Sequence, residues 1–227
     1  FMTTIINGIH RSILSVAIAT AMACGNRANI ERKEQENVMD MVPIKQKKPL
    51  AIVVIDMQDF FLESVNPREL ESELPNQIKI LEYAQENSIP IYVLEYSGLG
   101  GTTERLQKVL HNLPYQTILK TSSDGFLNTG LNDLLRVNNV EQIILMGAYA
   151  SHCVLATARG ALEHGYSIAT SLDLIQDPPP LWPHPMDESV KWYASQGNLF
   201  LSVDDLITYL DSDALKMGNV FSSFSCE

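Results

Sequence analysis

The chain is short of cysteine, of histidine and of positive charge. Its 227 residues hold three cysteines and five histidines, with 16 Lys plus Arg against 27 Asp plus Glu, for a net charge of −11. Cys24, Cys153 and Cys226 stand far apart, are odd in number and form no C-x-x-C pair. That argues against both a disulfide framework and a structural zinc site. The acidic balance argues against a nucleic-acid partner, because phosphate binding needs a basic surface. No G-x-G-x-x-G follows the first predicted strand, so no dinucleotide site is expected. The G-x-S-x-G elbow is missing too, which disfavours a serine α/β-hydrolase. No internal repeat is present.

The first residues carry an apolar run from Ile13 to Ala23, preceded by His10 and Arg11. It is too short to span a bilayer. It ends Ala21-Met22-Ala23-Cys24, a small-x-small cleavage pattern. Cys24 directly after that pattern resembles the lipobox of bacterial lipoproteins, with Ala21 where leucine is usual. Residues 1–24 are therefore expected to be a signal segment with Cys24 as the lipidation candidate. Polar residues 25–48 suit a solvated tether. This reading places the protein in the periplasm or cell envelope, touching a membrane only through an N-terminal lipid anchor. The alternative is a cytoplasmic protein whose translation starts at Met39 or Met41.

From Pro49 onward, apolar runs alternate with helical spacing. Residues 50–55 are a continuous, mostly β-branched run, as in a strand buried on both faces. Over 71–87, Leu74, Ile78, Leu81 and Ala84 share one helical face. Further strands are expected at 88–94, 116–119, 140–146, 166–170 and 199–203. Further helices are expected at 103–110, 131–137, 153–164, 186–196 and 204–210. The alternation and the short links predict an α/β protein: a three-layer α/β/α Rossmann-like fold with a mostly parallel, roughly six-stranded sheet. The domain would cover 49–210, with a tail over 211–227.

In open parallel sheets, ligands bind beyond the C-terminal ends of the strands. The first predicted strand ends at Asp56, the third at Lys120, and the fourth runs through Gly147 into a turn that delivers Cys153. Cys153 would sit in the first turn of a small-residue helix, where partial positive charge and free N–H groups favour a thiolate. Each residue has a plainer alternative. Cys153 reads equally as a small apolar core residue, Asp56 as a turn former and Lys120 as a solvated charge. Together they make a base, a cation and an attacking sulfur.

These segments resemble the isochorismatase-like cysteine hydrolases, which include nicotinamidases, N-carbamoylsarcosine amidases and ureidoacrylate amidohydrolases. The likeness runs from about Leu50 to Leu210. Asp56-x-Gln58 matches the first motif. Lys120, then Phe126-Leu127-Asn128-Thr129-Gly130-Leu131, matches the second, commonly K-x5-F-x-G-T-x-L, with Asn128 in place of glycine. Gly147 to Val154, with Thr157-Ala158 and Gly165-Tyr166, matches the third, with Ala150 where threonine is common.

The resemblance implies that Asp56 takes the thiol proton, that Lys120 holds Asp56 and the thiolate, and that Cys153 attacks an amide-like carbonyl. The resulting thioester would be cleaved by water. It implies an oxyanion hole made by the backbone N–H groups of Tyr149 and Cys153, and a cis peptide between Ala148 and Tyr149. It also implies a small-molecule substrate and a homo-oligomer. Candidate pocket residues are Gln58, Phe61, Glu95, Tyr96, Phe126 and His152, with Trp182 and His184 as a further wall. His152 would face away from the thiol if it were helical. Nicotinamidases carry Asp-x-His and further histidines for a metal. Here Glu95-Tyr96-Ser97-Gly98 follows the second strand without a histidine. No metal and no cofactor are expected, and nicotinamidase activity is disfavoured. The expected reaction is hydrolysis of a small non-peptide amide-type C–N bond. The alternatives are isochorismatase-type vinyl ether hydrolysis and a non-catalytic envelope binding protein with the same fold.

Overall fold

The computed structural model describes residues 49–178, 185–196 and 198–220. The expected signal segment and tether, Cys24, Trp182, His184 and residues 221–227 lie outside the described residues.

Leu50–Ile55 forms strand β1, and all six of its residues are buried. The other strands are β2 (Ile91–Tyr96), β3 (Tyr115–Lys120), β4 (Gln142–Ala148), β5 (Ser167–Ser171), β6 (Ile175–Gln176) and β7 (Leu199–Phe200). The helices are α1 (Asp59–Leu62), α2 (Pro67–Glu86), α3 (Glu104–Leu110), α4 (Leu131–Val137), α5 (Cys153–Glu163), α6 (Pro185–Ser195) and α7 (Val203–Val220). The sheet runs β3-β2-β1-β4-β5-β7, with β6 paired to β4. Every strand pairing in it is parallel.

The complete burial of β1 follows from its central place. Successive side chains point to opposite faces of a sheet. Ile52 and Val54 join a core with Leu74, Leu81, Leu106 and Leu206, under α2, α3 and α7. Ala51, Val53 and Ile55 join another with Leu131, Val154, Ala158 and Tyr193, under α4, α5 and α6. These are the three layers. Edge strand β3 keeps the same period: Ile118 and Lys120 are buried, while Tyr115, Gln116, Thr117 and Leu119 are exposed. Among the described residues, no helix is long and apolar enough to cross a membrane.

Among the described residues the sheet has seven strands, in keeping with the roughly six expected. The added one, β6, is only two residues long, too short for any periodicity to mark it. β2 extends to Tyr96, which brings Glu95 and Tyr96 into the strand. α2 begins at Pro67, earlier than apolar spacing alone predicts. The Asn66 side chain accepts from Arg68 N–H at 3.0 Å and Pro67 opens the helix, which together make a start signal. Val203 belongs to α7 rather than to the last strand, and α7 continues past Leu210 to Val220.

Candidate active site

The strand order reverses between β1 and β4, and such a switch point leaves a crevice at the C-terminal strand ends. The two backbones meet closely there. Gly147 is in register with Ile55 and has φ +135°, and a Cβ on it would lie 2.0 Å from the Ile55 carbonyl oxygen. Only glycine fits. Asp56, the next residue after β1, turns at φ +51°, a left-handed conformation that aspartate tolerates better than most residues. Its N–H donates to Leu94 O at 3.0 Å.

Lys120 ends β3 in register with Tyr96 at the end of β2. Its ammonium lies 4.9 Å from the Tyr96 ring centroid, donates to Ser122 O at 2.9 Å and stands 2.8 Å from Asp56 Oδ2. Cys153 begins α5 and is 6% exposed; Asp56 and Lys120 are more deeply buried still. Thr157, one turn further along α5, donates to Cys153 O at 2.8 Å and accepts from Gly125 N–H at 3.0 Å. It ties the nucleophile's helix to the loop that follows Lys120.

The contact between Lys120 and Asp56 is an ion pair but not an aligned hydrogen bond, and both Asp56 oxygens are buried without an aligned donor. The Cys153 thiol lies beside the same carboxylate. Burial raises the Asp56 carboxyl above its ordinary value, against the pull of Lys120 and Cys153. Burial also pushes the Cys153 thiol up to about 11, with Asp56 adding to the rise and Lys120 opposing it. Desolvation and a neighbouring carboxylate outweigh the helix N-terminus, so the resting side chain is a thiol.

The turn before Cys153 contains a cis peptide, Ala148–Tyr149. Most of its amides are engaged. Ala150 N–H donates to Gln176 O at 2.8 Å, Ser151 N–H to Asp177 Oδ1 at 3.0 Å, and His152 and Val154 N–H to Tyr149 O at 3.0 and 3.1 Å. Among the described residues, the N–H groups of Tyr149 and Cys153 have no acceptor. Two donors on the turn and helix start that carry the thiol are therefore left without an acceptor.

The candidate pocket residues divide. Phe61 and Tyr96 stand together beside this site, joined by the Tyr149 ring. Phe61 meets Tyr149 edge-on at 5.6 Å and Tyr96 at 6.2 Å. The Tyr149 hydroxyl donates to Phe61 O at 2.9 Å, and that of Tyr96 to Thr121 O at 2.8 Å. The neighbouring Phe60 is 56% exposed. Gln58 is not a pocket side chain: its amide donates to the carbonyls of Tyr96 and Gly100, and its oxygen accepts from Tyr96 N–H. Glu95 is likewise committed, with Oε1 accepting from Thr102 N–H at 2.7 Å and Thr102 Oγ1–H at 2.8 Å. Phe126 is a core residue, stacked on Tyr166 at 5.9 Å. His152 is exposed and non-helical, with Nδ1 2.9 Å from Ser151 Oγ.

Among the described residues, no three His, Cys, Asp or Glu side chains cluster as metal ligands would. A groove of about 680 Å³, lined by Leu50, Ile89, Ile91, Tyr92 and Tyr115, lies at the opposite, N-terminal ends of the strands. It shares no residue with the site.

Residues 50–185 match the family model of the isochorismatase domain. The chain is 28% identical over 131 residues to an uncharacterized isochorismatase family protein of Bacillus subtilis, YddQ, covering 51% of this chain and 71% of that protein. It is 29% identical over 133 residues to a streptothricin hydrolase of Streptomyces noursei, covering 54% of this chain but only 48% of the other. Its fold is similar to the crystal structure of a Staphylococcus aureus nicotinamidase, with a TM-score of 0.55 and 23% identity over 67% of this chain and 99% of that one. The matched region takes in the ends of β1, β3 and β4 together with the start of α5, and on that ground the chain belongs to the isochorismatase family.

Proposed function

We propose that the chain is a hydrolase that cleaves a small non-peptide amide-type C–N bond through a thioester on Cys153. The observation that carries this reading is the buried Asp56–Lys120 pair with a thiol beside it and two unengaged amides alongside. Relatives named a streptothricin hydrolase and a nicotinamidase support hydrolysis as the reaction class. In the envelope reading of residues 1–48, the enzyme meets its small-molecule substrate outside the cytoplasm.

Asp56, Lys120 and Cys153 together hold one mobile proton. With that proton on either Asp56 or Cys153, the group is neutral overall, which makes its burial affordable. Sulfur attacks the carbonyl carbon as the thiol proton passes to Asp56, and the carbonyl electrons move onto oxygen. The Tyr149 and Cys153 amides bind that oxyanion. The C–N bond then breaks, and the amine leaves with the proton from Asp56. Water attacks the thioester, gives a proton to Asp56 and releases the acid, and the thiol is reformed from that proton. Lys120 stays charged throughout and stabilises whichever neighbour is the anion.

The test is acid quench during turnover of a panel of small amides, ureas and hydroxamates, followed by intact mass. An acyl adduct on Cys153 is expected, with turnover in Cys153→Ala reduced roughly 10⁴-fold or more. Equal turnover in Cys153→Ala would rule the reading out.

A further inference from the structure

We propose that Asp177 is a positioning residue for the oxyanion site, holding through Ser151 the turn that sets the two free amides. The inference rests on the acyl-transfer reading above. Ser151 lies midway between Tyr149 and Cys153, so its placement governs the direction of both donors. Asp177 Oδ1 accepts from Ser151 N–H and from Ser151 Oγ–H, each at 3.0 Å. A charged acceptor makes both bonds stronger than a neutral one would. Oδ2 is buried with no hydrogen-bond partner, and among the described residues no salt bridge engages Asp177. Among the described residues its hydrogen bonds go to Ser151 alone, and its charge also bears on the Tyr193 hydroxyl.

The surroundings have the same purpose. β6 runs beside the end of β4, pairing Ile175 with Gly147 and Gln176 with Ala148. Leu174 O accepts from Gly147 N–H at 2.9 Å, and Gln176 O accepts from Ala150 N–H at 2.8 Å. Asp177 adds the next anchor along the turn. On the α6 side, the buried Tyr193 hydroxyl donates to Ala150 O at 2.9 Å. The short strand and the aspartate that follows it therefore act as a rail for the nucleophile turn.

The experiment compares two reactions of Cys153 in the full chain. Acylation by 4-nitrophenyl acetate passes through an oxyanion and releases a burst of nitrophenolate. Alkylation by iodoacetamide displaces iodide at a saturated carbon and forms no oxyanion. In Asp177→Ala the burst is expected to slow roughly 10- to 100-fold, less than or equal to the loss of a whole donor, with KM little changed. The alkylation rate should stay within about twofold of the parent, because the Asp56–Lys120–Cys153 pairing is untouched. Asp177→Asn, which keeps an oxygen able to accept both Ser151 bonds, should recover most of the burst rate. If Asp177→Ala does not fold, Ser151→Ala removes the hydroxyl bond alone and should slow the burst by a smaller factor, again without slowing alkylation. A burst at the parent rate in these variants, or burst and alkylation falling together, would overturn the inference alone. No Cys153-dependent burst in the parent protein would overturn the acyl-transfer reading and this inference with it.

Discussion

Lys120 and Asp56 form an ion pair 2.8 Å long in which both side chains are withdrawn from water. A pair this deeply buried is a poor source of stability, since desolvation cancels most of the attraction. Its value here is chemical. Lys120 lets one negative charge exist at the site, and that charge belongs to either Asp56 or Cys153. Burial raises both the carboxyl and the thiol above their ordinary values, and for the thiol the Asp56 charge adds to the rise.

Replacing Asp56 should therefore make Cys153 more reactive towards a simple alkylator while abolishing acyl transfer. In the parent, alkylation by iodoacetamide should rise with pH through the neutral range towards about 11. Asp56→Asn removes a charge that raises the thiol, so its alkylation at pH 8 should be faster, about tenfold or more for a shift of one unit or greater. Amide turnover should be lost, because no group remains to take the proton. Lys120→Met removes the opposing cation and should slow alkylation instead. Rates measured between pH 6 and pH 9 decide the matter. Slower alkylation in Asp56→Asn would contradict the shared proton.

Gln58 follows Asp56 by two residues, yet its contribution should be to stability. It is fully buried and clamps the end of β2 to the segment at Gly100. Gln58→Ala leaves Tyr96 N–H and Gly100 O without that partner, at roughly 1–3 kcal/mol for each one kept from water, while Tyr96 O keeps Leu99 N–H at 3.3 Å. Urea unfolding should show a loss of about 2–4 kcal/mol on the same basis. Cys153 alkylation in the folded protein should stay near the parent rate. A large loss of alkylation at unchanged stability would instead place Gln58 in the chemistry.

The strand ends were legible because a run such as Leu50–Ile55 can only be a central strand, and Asp56 and the turn to Cys153 follow from where such strands stop. Lys120 was harder to place. It lies on an exposed edge strand, and only its step of two from Ile118 turns it inward. What the residues beside the motifs do was not legible. Neither Gln58 nor Phe126 carries any local sign of whether it meets a ligand, a backbone or the core, since that depends on partners 38 residues away for Gln58 and on Tyr166 for Phe126. The forces acting on the thiol divide in the same way. Helix position is local and visible in sequence, whereas burial and the charge of Asp56 are tertiary, and here they are larger. Asp177 had no signal at all, since it follows a strand only two residues long.

A second, half-buried acid, remote from the site, should cost stability as pH rises from about 4.5 to about 8. The carboxyl of Glu73, on α2, is pushed up to about 8, by burial first and then by the charges of Glu69 and Asp173. Its Oε2 is buried without a hydrogen-bond partner. Asp173, whose oxygens accept from Ser171 Oγ–H and Val203 N–H, acts on Glu73 only as a like charge that raises it further. Between its ordinary value of 4.5 and about 8, the folded protein holds a proton on Glu73 that the unfolded chain has released. Stability from this group is thus fully present below pH 4.5 and is lost as pH rises through about 8. Glu73→Gln keeps the shape and cannot ionise. Its melting temperature should gain on the parent's from pH 5 upward, and the gap should level off above about pH 8. Melting curves of the two proteins that stay parallel from pH 5 to 9 would show that Glu73 finds a partner or water in its folded state.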